Sequence, residues 1–139
     1  MKEHSYFLNS NVIVSGIAWD GNERRLLEMG MSQKIELVTC SYALREIERV
    51  LSKFGYSLAM IIDELLHLRA FIRIVDPTED EIRERWNALP DKSDVLVLTA
   101  VIKSGCIFVT GDKKLRKNAA KYVEVAVATD IIKEHGKTT

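Results

Sequence analysis

The feature that most constrains the fold of this chain is the alternation of short apolar runs with longer segments of helical periodicity. The short runs are rich in β-branched and aromatic residues and occupy residues 6–8, 35–39, 72–75, 107–110 and 123–127. Strands that alternate with helices favour a parallel sheet covered on both faces. We therefore predict an α/β fold with three layers, α/β/α, around a central, mostly parallel sheet.

The segments between these runs carry the signals of helices. Residues 41–54 and 57–69 space their apolar side chains as on one buried helix face. Ser41 and Ser57 are the predicted N-caps, because a serine hydroxyl can accept a free amide of the first turn. The expected inward face of the second helix consists of Leu58, Ile61, Ile62, Leu65 and Leu68.

Further helix boundaries are predicted from capping residues. Asn22 is the predicted cap of one helix, and Thr78 forms a capping box with the glutamate three residues later. Residues 95–102 are almost wholly apolar but long for a strand, so we predict a helix that is buried on most sides. Residues 9–11 are predicted to be a polar loop, with only a short helical turn between residues 16 and 21.

The composition is that of a globular domain. The chain has 139 residues, of which 47% are apolar, and it contains no internal repeat or Pro/Gly-rich linker. We therefore expect one domain over residues 1–139. The 20 basic and 20 acidic residues balance, which excludes a strongly basic nucleic-acid binder of the histone kind but allows a local basic strip beside an acidic pocket.

The expected environment is cytoplasmic. The N-terminus has no long apolar signal core, and no segment approaches the roughly 18 apolar residues of a membrane span, so no membrane partner is expected. Cys40 and Cys106 lie far apart in the sequence and outside any C-x-x-C pair, and we predict that both are small buried apolar residues.

Four polar residues fall at the ends of predicted strands or the starts of helices. They are Asn9, Glu46, Asp94 and Asp112, and in a parallel sheet such positions gather at one edge. Acids that converge there repel one another unless a cation neutralises them. Mg²⁺ or Mn²⁺ suits an all-oxygen site, and such an ion supports phosphodiester hydrolysis.

Each acid taken alone also has a structural interpretation. Asp94 suits the first turn of a helix, where a carboxylate faces the positive end of the helix dipole. Glu46 can belong to the solvated face of an amphipathic helix, and Asp112 can be a turn residue or cap. Their joint placement is what favours a functional site.

Four sequence blocks resemble the motifs of the PIN domain family. The first is residues 9–16, with the sequence NSNVIVSG, and the second is residues 37–51. Residues 94–100 and 108–115 are similar to the third and fourth blocks, and the order along the chain is that of the family. Among PIN proteins, the opening looks closest to a prokaryotic group of toxin components from toxin–antitoxin pairs.

The resemblance implies a ribonuclease that depends on Mg²⁺ or Mn²⁺. By position, Glu46, Asp94 and Asp112 would be the metal ligands and catalytic acids. The departure is Asn9, where the family has an aspartate; an amide offers one oxygen but no charge, so we expect weaker metal binding and slower or absent cleavage. The implied polar supports of this site are Ser10, Asn11, Asp91 and Thr110, and Asp91 is also a candidate to share the role of the third acid.

A basic segment follows the last acid. Lys113, Lys114, Arg116 and Lys117 are candidates to contact RNA phosphates beside the acidic site. The alternative is an ordinary solvated helix face. No aromatic residue interleaves with these cations, so base stacking on this segment is not expected.

Two classes of function remain open at this point. The first is a metal-dependent endoribonuclease, held in check by an antitoxin protein. The second is a catalytically inactive PIN-fold module that binds RNA or a protein partner, which Asn9 favours. A receiver-type signalling domain shares the α/β layout, but the chain order of the acids does not suit it. The apolar helices over residues 41–69 are candidates for an antitoxin groove or a homodimer surface, although plain core is the alternative for most of their residues.

Overall fold

A computed structural model describes residues 5–136 of the chain. Its centre is a five-stranded sheet in the order β3-β2-β1-β4-β5, in which every neighbouring pair is parallel. The strands are β1 (Ser5–Leu8), β2 (Glu36–Thr39), β3 (Ile72–Ile74), β4 (Ile107–Val109) and β5 (Val125–Ala126). The predicted α/β fold with a parallel sheet is confirmed.

Helices connect the strands and cover the sheet. They are α1 (Ser10–Ala18), α2 (Asn22–Met31), α3 (Ser41–Lys53), α4 (Leu58–Arg69), α5 (Glu79–Glu84), α6 (Lys92–Ser104), α7 (Lys113–Ala119) and α8 (Ala128–Gly136). Because all strands are parallel, their carboxyl ends meet at one edge of the sheet, and the loops that follow them lie side by side there.

The central strand β1 separates two hydrophobic cores. Tyr6 and Leu8 point into a core shared with α1, α2, α3, α4 and α8, whereas Phe7 points into a second core built mainly from α6 and α7. Successive side chains of a strand alternate between the two faces of a sheet. A strand that is buried on both faces must therefore be apolar at every position, which is why residues 6–8 form a continuous apolar run.

The start of the chain differs from its prediction. Residues 9–11 do not form a loop, because α1 begins at Ser10 directly after β1 and continues through Val12 and Gly16. The side-chain oxygen of Asn9 accepts the backbone N–H of Ser10 and caps this helix. Gly16 is tolerated inside α1 because a Cβ there would lie 2.5 Å from Leu27 Cδ1 of α2, so the two helices approach closely.

Two predicted caps are wrong by one residue. Asn22 is the first residue of α2 rather than its cap, and its side chain donates to Thr129 Oγ1 at 3.2 Å. Ser41 is the first residue of α3, where its backbone N–H donates to the Asp76 carboxylate at 2.7 Å. Asp76 lies in the loop after β3, so a contact between distant parts of the sequence caps α3 at a place where local capping rules predicted Ser41.

Helix α4 presents apolar side chains on two sides. Ile61 and Leu68 are buried, as predicted, and Leu65 is half-buried. Leu58 and Ile62, which were expected to face the core with them, are 66% and 47% exposed. The hydrophobic core covers only part of the apolar surface of α4. The sequence pattern therefore predicted more buried residues on this helix than the structure has.

Other predicted elements are confirmed with small shifts. Ser57 caps α4, and Thr78 forms the capping box of α5, which ends at Glu84, before the predicted end near residue 90. The apolar segment 95–102 is helical within α6 and is followed by Gly105 at a φ of 71°. Cys40 and Cys106 are buried and unpaired. No helix between residues 5 and 136 is long and apolar enough to cross a membrane.

Candidate active site at the carboxyl edge of the sheet

The candidate site lies where β1, β2 and β4 end. Asn9 follows β1, and Thr110 and Asp112 follow β4. Glu46 lies in the second turn of α3, the helix that follows β2, and Asp94 lies in the first turn of α6. The parallel arrangement of neighbouring strands therefore brings residues 9 and 110, a hundred positions apart in sequence, into direct contact.

Thr110 is the centre of the hydrogen bonds at this edge. Its side chain is fully buried, and its hydroxyl oxygen lies 2.9 Å from Asn9 Nδ2, 3.4 Å from Asn11 Nδ2 and 3.2 Å from the backbone nitrogen of Asp112. All three partners are donors. A hydroxyl has two acceptor lone pairs and one proton to donate, so three donors exceed its accepting capacity.

The orientation of the Asn9 amide follows from helix α1. Its oxygen accepts the N–H of Ser10 at 3.0 Å, and this leaves the NH₂ group to face Thr110. An aspartate at position 9 would offer an acceptor on both sides, and Thr110 could then donate to it while accepting from Asn11 and Asp112. The hydrogen-bonding groups around Thr110 thus suit a carboxylate at position 9 better than an amide.

Glu46 is held by the first residue of α1. Ser10 Oγ donates to Glu46 Oε1 at 3.0 Å, and the contact is partly buried. Ser10 is half-buried as well. The hydrogen bond fixes one oxygen of the glutamate, so Ser10 acts as a positioning residue for Glu46.

Asp94 is the acid with the most perturbed titration. Partial burial, and after it the negative charges of Asp91, Asp112 and Glu46, raise the pKa of its carboxyl from 3.8 to about 6. These three charges come from different parts of the chain, so this shift reflects the gathering of acids at the edge. A positive charge that approached this carboxyl would stabilise its ionised form.

Asp112 and Asp91 both cap helices. Asp112 Oδ1 accepts the N–H of Leu115 at 3.0 Å and begins α7. Asp91 Oδ1 accepts the N–H of Ser93 at 2.9 Å and its hydroxyl at 2.6 Å, which lowers the pKa of the Asp91 carboxyl. Asp91 is exposed and engaged in this cap, whereas Asp94 is the half-buried acid beside Glu46 and Asp112.

The donor chemistry of the edge fits a hard divalent cation. Its candidate ligands are carboxylates, the groups that Mg²⁺ and Mn²⁺ prefer. Within residues 5–136, however, no three His, Cys, Asp or Glu side chains form a group close enough to hold one ion. Ser10 orients one oxygen of Glu46, and the start of α7 engages one oxygen of Asp112.

Comparison with known proteins identifies the family. The sequence profile of the PIN domain matches residues 5–114, which is most of the chain. The chain belongs to the PIN domain family. No curated protein sequence matches the chain.

Solved structures share the fold of this PIN domain. A chain of VapBC2 from Rickettsia felis bound to a promoter DNA fragment is 18% identical, with a TM-score of 0.66 over 88% of this chain and 98% of that chain. A chain of VapBC-1 from nontypeable Haemophilus influenzae is 15% identical, with a TM-score of 0.68 over 90% and 98%. A chain of FitAB bound to the IR36 DNA fragment is 14% identical, with a TM-score of 0.62 over 88% and 94%. At such identities the likeness concerns the fold.

The basic segment of this PIN domain forms helix α7 beside the acids. Lys113, Lys114 and Lys117 are exposed there, next to Asp112. Arg116 is half-buried, and its guanidinium donates to the backbone oxygen of Thr110 at 2.8 Å. Arg116 therefore anchors α7 to the loop that carries Thr110, a contact that the sequence did not indicate.

Asp76 is a further acid at this edge that was not among the candidate residues predicted from the sequence. Its two carboxylate oxygens accept the backbone N–H of Ser41 at 2.7 Å and the Ser41 hydroxyl at 2.6 Å. The available signal was its position, because Asp76 directly follows the third predicted strand and so lies at the same edge as the other acids. The motif blocks drew attention to the neighbouring strands instead.

Proposed function

We propose that this PIN domain is a metal-dependent endoribonuclease, the toxin component of a toxin–antitoxin pair, with activity attenuated by Asn9. The observation that carries the proposal is the placement of Glu46, Asp94 and Asp112 after the parallel strands at one edge of the sheet. The raised pKa of Asp94, to which Asp112 and Glu46 contribute, agrees with this placement. Three acids that affect one another at a sheet edge suit a divalent cation. Family membership and the shared fold with VapBC chains support the same reading.

Glu46, Asp94 and Asp112 would hold the ion, either Mg²⁺ or Mn²⁺. When bound, such an ion lowers the pKa of its water and stabilises negative charge on an attacked phosphate. Ser10 would keep one oxygen of Glu46 in place through its 3.0 Å hydrogen bond. Arg116 would hold the Thr110 loop, and with it Asp112, through its 2.8 Å contact with the Thr110 carbonyl.

Asn9 is the feature that would attenuate the reaction. It is 8% exposed, it adds no negative charge to the edge, and its NH₂ group points at Thr110. A site with one carboxylate fewer attracts a divalent cation less strongly. We expect this chain to bind Mn²⁺ more weakly than an Asn9→Asp variant and to cleave RNA more slowly.

The lysines of α7 would guide the RNA. Lys113, Lys114 and Lys117 are exposed beside the acids, where each could neutralise a phosphate of a single strand. Asp112 and the lysines belong to one continuous segment from Thr110 to Lys117. A strand that follows the lysines would thus be brought to the acids.

RNA cleavage tests the proposal directly. The purified chain is incubated with a mixed single-stranded RNA pool and Mn²⁺ or Mg²⁺, with EDTA as the metal-free control, beside Asn9→Asp, Glu46→Gln and Asp112→Asn. Loss of a metal-binding acid is expected to lower the rate on the order of 100-fold or more. Asparagine caps helices about as well as aspartate, so Asp112→Asn tests the charge of residue 112 while retaining the cap of α7.

The outcome separates the two candidate functions. Cleavage that needs metal, rises with Asn9→Asp and disappears with Glu46→Gln supports the nuclease. If neither the chain nor Asn9→Asp cuts any RNA, the alternative is favoured, namely a catalytically inactive PIN-fold module that binds RNA or a protein partner. Equal Mn²⁺ affinity of the two proteins would contradict the role proposed for Asn9.

An antitoxin would bind the exposed apolar side of α4. Large apolar side chains are exposed there at a spacing of four residues, and Trp19 packs edge-to-face on Phe54 with ring centroids 5.6 Å apart. We call this surface the apolar stripe; its members are Trp19, Phe54, Leu58, Ile62 and Leu66. Exposed apolar patches of this kind mark protein contacts, and an amphipathic helix is the partner that fits a helical stripe. A second copy of the chain is the other candidate partner.

A further inference from the structure

A cavity lies at the same edge of the sheet, where β2 and β3 end. It has a volume of about 250 Å³ and is lined by residues that include Tyr42, Arg45, Asp76, Pro77 and Leu96. These residues come from the start of α3, the loop after β3 and the first turns of α6. We call it the edge cavity. The proposed nuclease chemistry uses none of its lining residues.

The edge cavity and the acids share two helices. Tyr42 and Glu46 are four residues apart on α3, so they lie on neighbouring turns of the same helix face. Leu96 lies on α6, the helix whose first turn carries Asp94. A strand of RNA whose phosphate lies at Glu46 and Asp94 would therefore pass one of its nucleosides close to the cavity.

Tyr42 and Arg45 give the cavity a flat, polarisable wall. The guanidinium carbon of Arg45 lies 5.9 Å from the centroid of the Tyr42 ring, a cation–π contact. Both a tyrosine ring and an arginine plane stack on unpaired bases in proteins that bind single-stranded RNA. Leu96 and Pro77 add apolar surface, which suits the face of a base and not a phosphate.

Asp76 gives the cavity a fixed polar group. Its carboxylate is held by the N–H and hydroxyl of Ser41, and its backbone oxygen accepts a hydrogen bond from Lys103 Nζ at 3.0 Å. A carboxylate has about four lone-pair sites, of which Ser41 occupies two. The remaining sites can accept from the amino group of a base, as carboxylates do with cytosine N4.

We propose that the edge cavity is a subsite for one nucleobase of the RNA beside the scissile phosphate, with Tyr42 and Arg45 stacking on the base and Asp76 selecting bases that carry an exocyclic amino group. The subsite rests on the proposed function in that it needs RNA as the substrate. Cytosine, adenine and guanine offer the amino donor. Uracil has no amino group, and its N3–H lies between two carbonyl oxygens that would meet the negative Asp76. The expected order therefore places uracil last.

Binding of short RNAs in the absence of metal tests the subsite without relying on cleavage. Fluorescently labelled oligocytidine and oligouridine of equal length are titrated in EDTA with the full chain, Tyr42→Ala, Tyr42→Phe and Asp76→Asn. Tyr122→Ala is the matched control, because Tyr122 is an exposed tyrosine that does not line the edge cavity. Circular dichroism verifies that each variant is folded.

The expected results differ between the variants. Tyr42→Ala weakens oligocytidine binding at least about fivefold, the lower range for loss of one base–aromatic stack, whereas Tyr42→Phe and Tyr122→Ala do not. Asp76→Asn reduces the preference for oligocytidine over oligouridine, because an amide can both donate and accept. Asn retains an oxygen for the Ser41 amide, so this variant keeps the cap of α3.

Failure of the subsite is distinguishable from failure of the nuclease. If the chain cleaves RNA with metal but Tyr42→Ala binds both oligonucleotides as the unchanged chain does, the subsite is wrong and the nuclease stands. If no protein cleaves RNA but binding depends on Tyr42 and Asp76, the subsite stands in a binding module. If neither oligonucleotide binds, the subsite is overturned.

Discussion

The carboxyl edge of the sheet and the apolar stripe on α4 both depart from the usual distribution of side chains, but in opposite ways. At the edge, charge is partly buried, and the pKa of Asp94 is raised to about 6. On the stripe, apolar surface is exposed, with Leu58 at 66% and Leu66 at 63%. One region holds partly buried charges, and the other holds apolar side chains exposed to solvent.

The two departures affect different equilibria. Gathered carboxylates oppose folding, because the folded state must bring like charges together and desolvate them. Exposed apolar side chains leave folding almost unchanged, since they remain in water in both states. Changes at the edge should therefore alter stability and ion binding, whereas changes on the stripe should alter association alone.

The largest expected effect belongs to the stripe. The double change Ile62→Asp and Leu66→Asp places two charges in the proposed contact surface, and we expect the affinity for the antitoxin, or for a second copy, to fall at least about 100-fold, near 3 kcal/mol. The free energy of unfolding should stay the same. Sedimentation of the chain alone and with its antitoxin measures both associations.

The control for the stripe is Met31→Asp, an exposed apolar residue on α2 outside the stripe. It should leave both associations intact. If the double variant associates with the proposed antitoxin and with a second copy as the unchanged chain does, the apolar stripe is not a binding surface, and the contrast with the carboxyl edge does not hold.

The second effect belongs to Thr110 at the carboxyl edge. Thr110→Val keeps the shape but removes the hydroxyl that lies within hydrogen-bonding distance of Asn9, Asn11 and Asp112. The buried amide of Asn9 would lose its acceptor, so we expect a loss of about 2 kcal/mol in the free energy of unfolding. Urea denaturation measures it.

Two comparisons sharpen this prediction. Thr110→Ser retains the hydroxyl and should recover most of the loss. Leu58→Ala, on the exposed stripe, should change the free energy of unfolding by less than about 0.5 kcal/mol. Equal losses for Thr110→Val and Leu58→Ala would remove the distinction between the two regions.

The smallest expected effect is a pH dependence of the free energy of unfolding, which arises from Asp94. Its pKa is about 6 in the folded state, above the ordinary 3.8, so between these values the folded state binds more protons than the unfolded state. Stability therefore falls as the pH rises from about 4 to about 6 and is level above that. Asp94→Asn should remove this dependence.

The expected gain of Asp94→Asn at pH 8 is about 1 kcal/mol, after allowance for the solvent that reaches this half-buried group and for the favourable place of a carboxylate in the first turn of α6. The gain should vanish near pH 4. Urea denaturation at both pH values measures it. Addition of Mn²⁺ at pH 8 should stabilise the unchanged chain more than the variant, and the reverse result would contradict a cation site at Asp94.

The contrast also explains which parts of the molecule could be predicted. The Thr110-Gly111-Asp112 block and the carboxylates at strand ends were recognisable because backbone topology alone places such residues at one edge. The helices over residues 41–69 were candidates for a partner surface, but the members of the stripe were not recognisable, because Leu58 and Ile62 carry the same local pattern as the buried Ile61 and Leu68. Whether an apolar side chain on α4 is buried depends on how far α3 and β3 extend beneath it.

The sequence by itself determined the layers, the parallel sheet and the positions of the acids, because strand and helix periodicities and motif spacing are local properties. Only the tertiary structure decided that Asn9 caps α1 while its amide faces Thr110, that Asp76 caps α3, and that Arg116 anchors the Thr110 loop. Apart from the cap of α1 itself, each of these contacts joins separate elements. The physical reason is that a polar side chain takes the partner that the packed elements place within about 3 Å of it, and no local pattern specifies that partner.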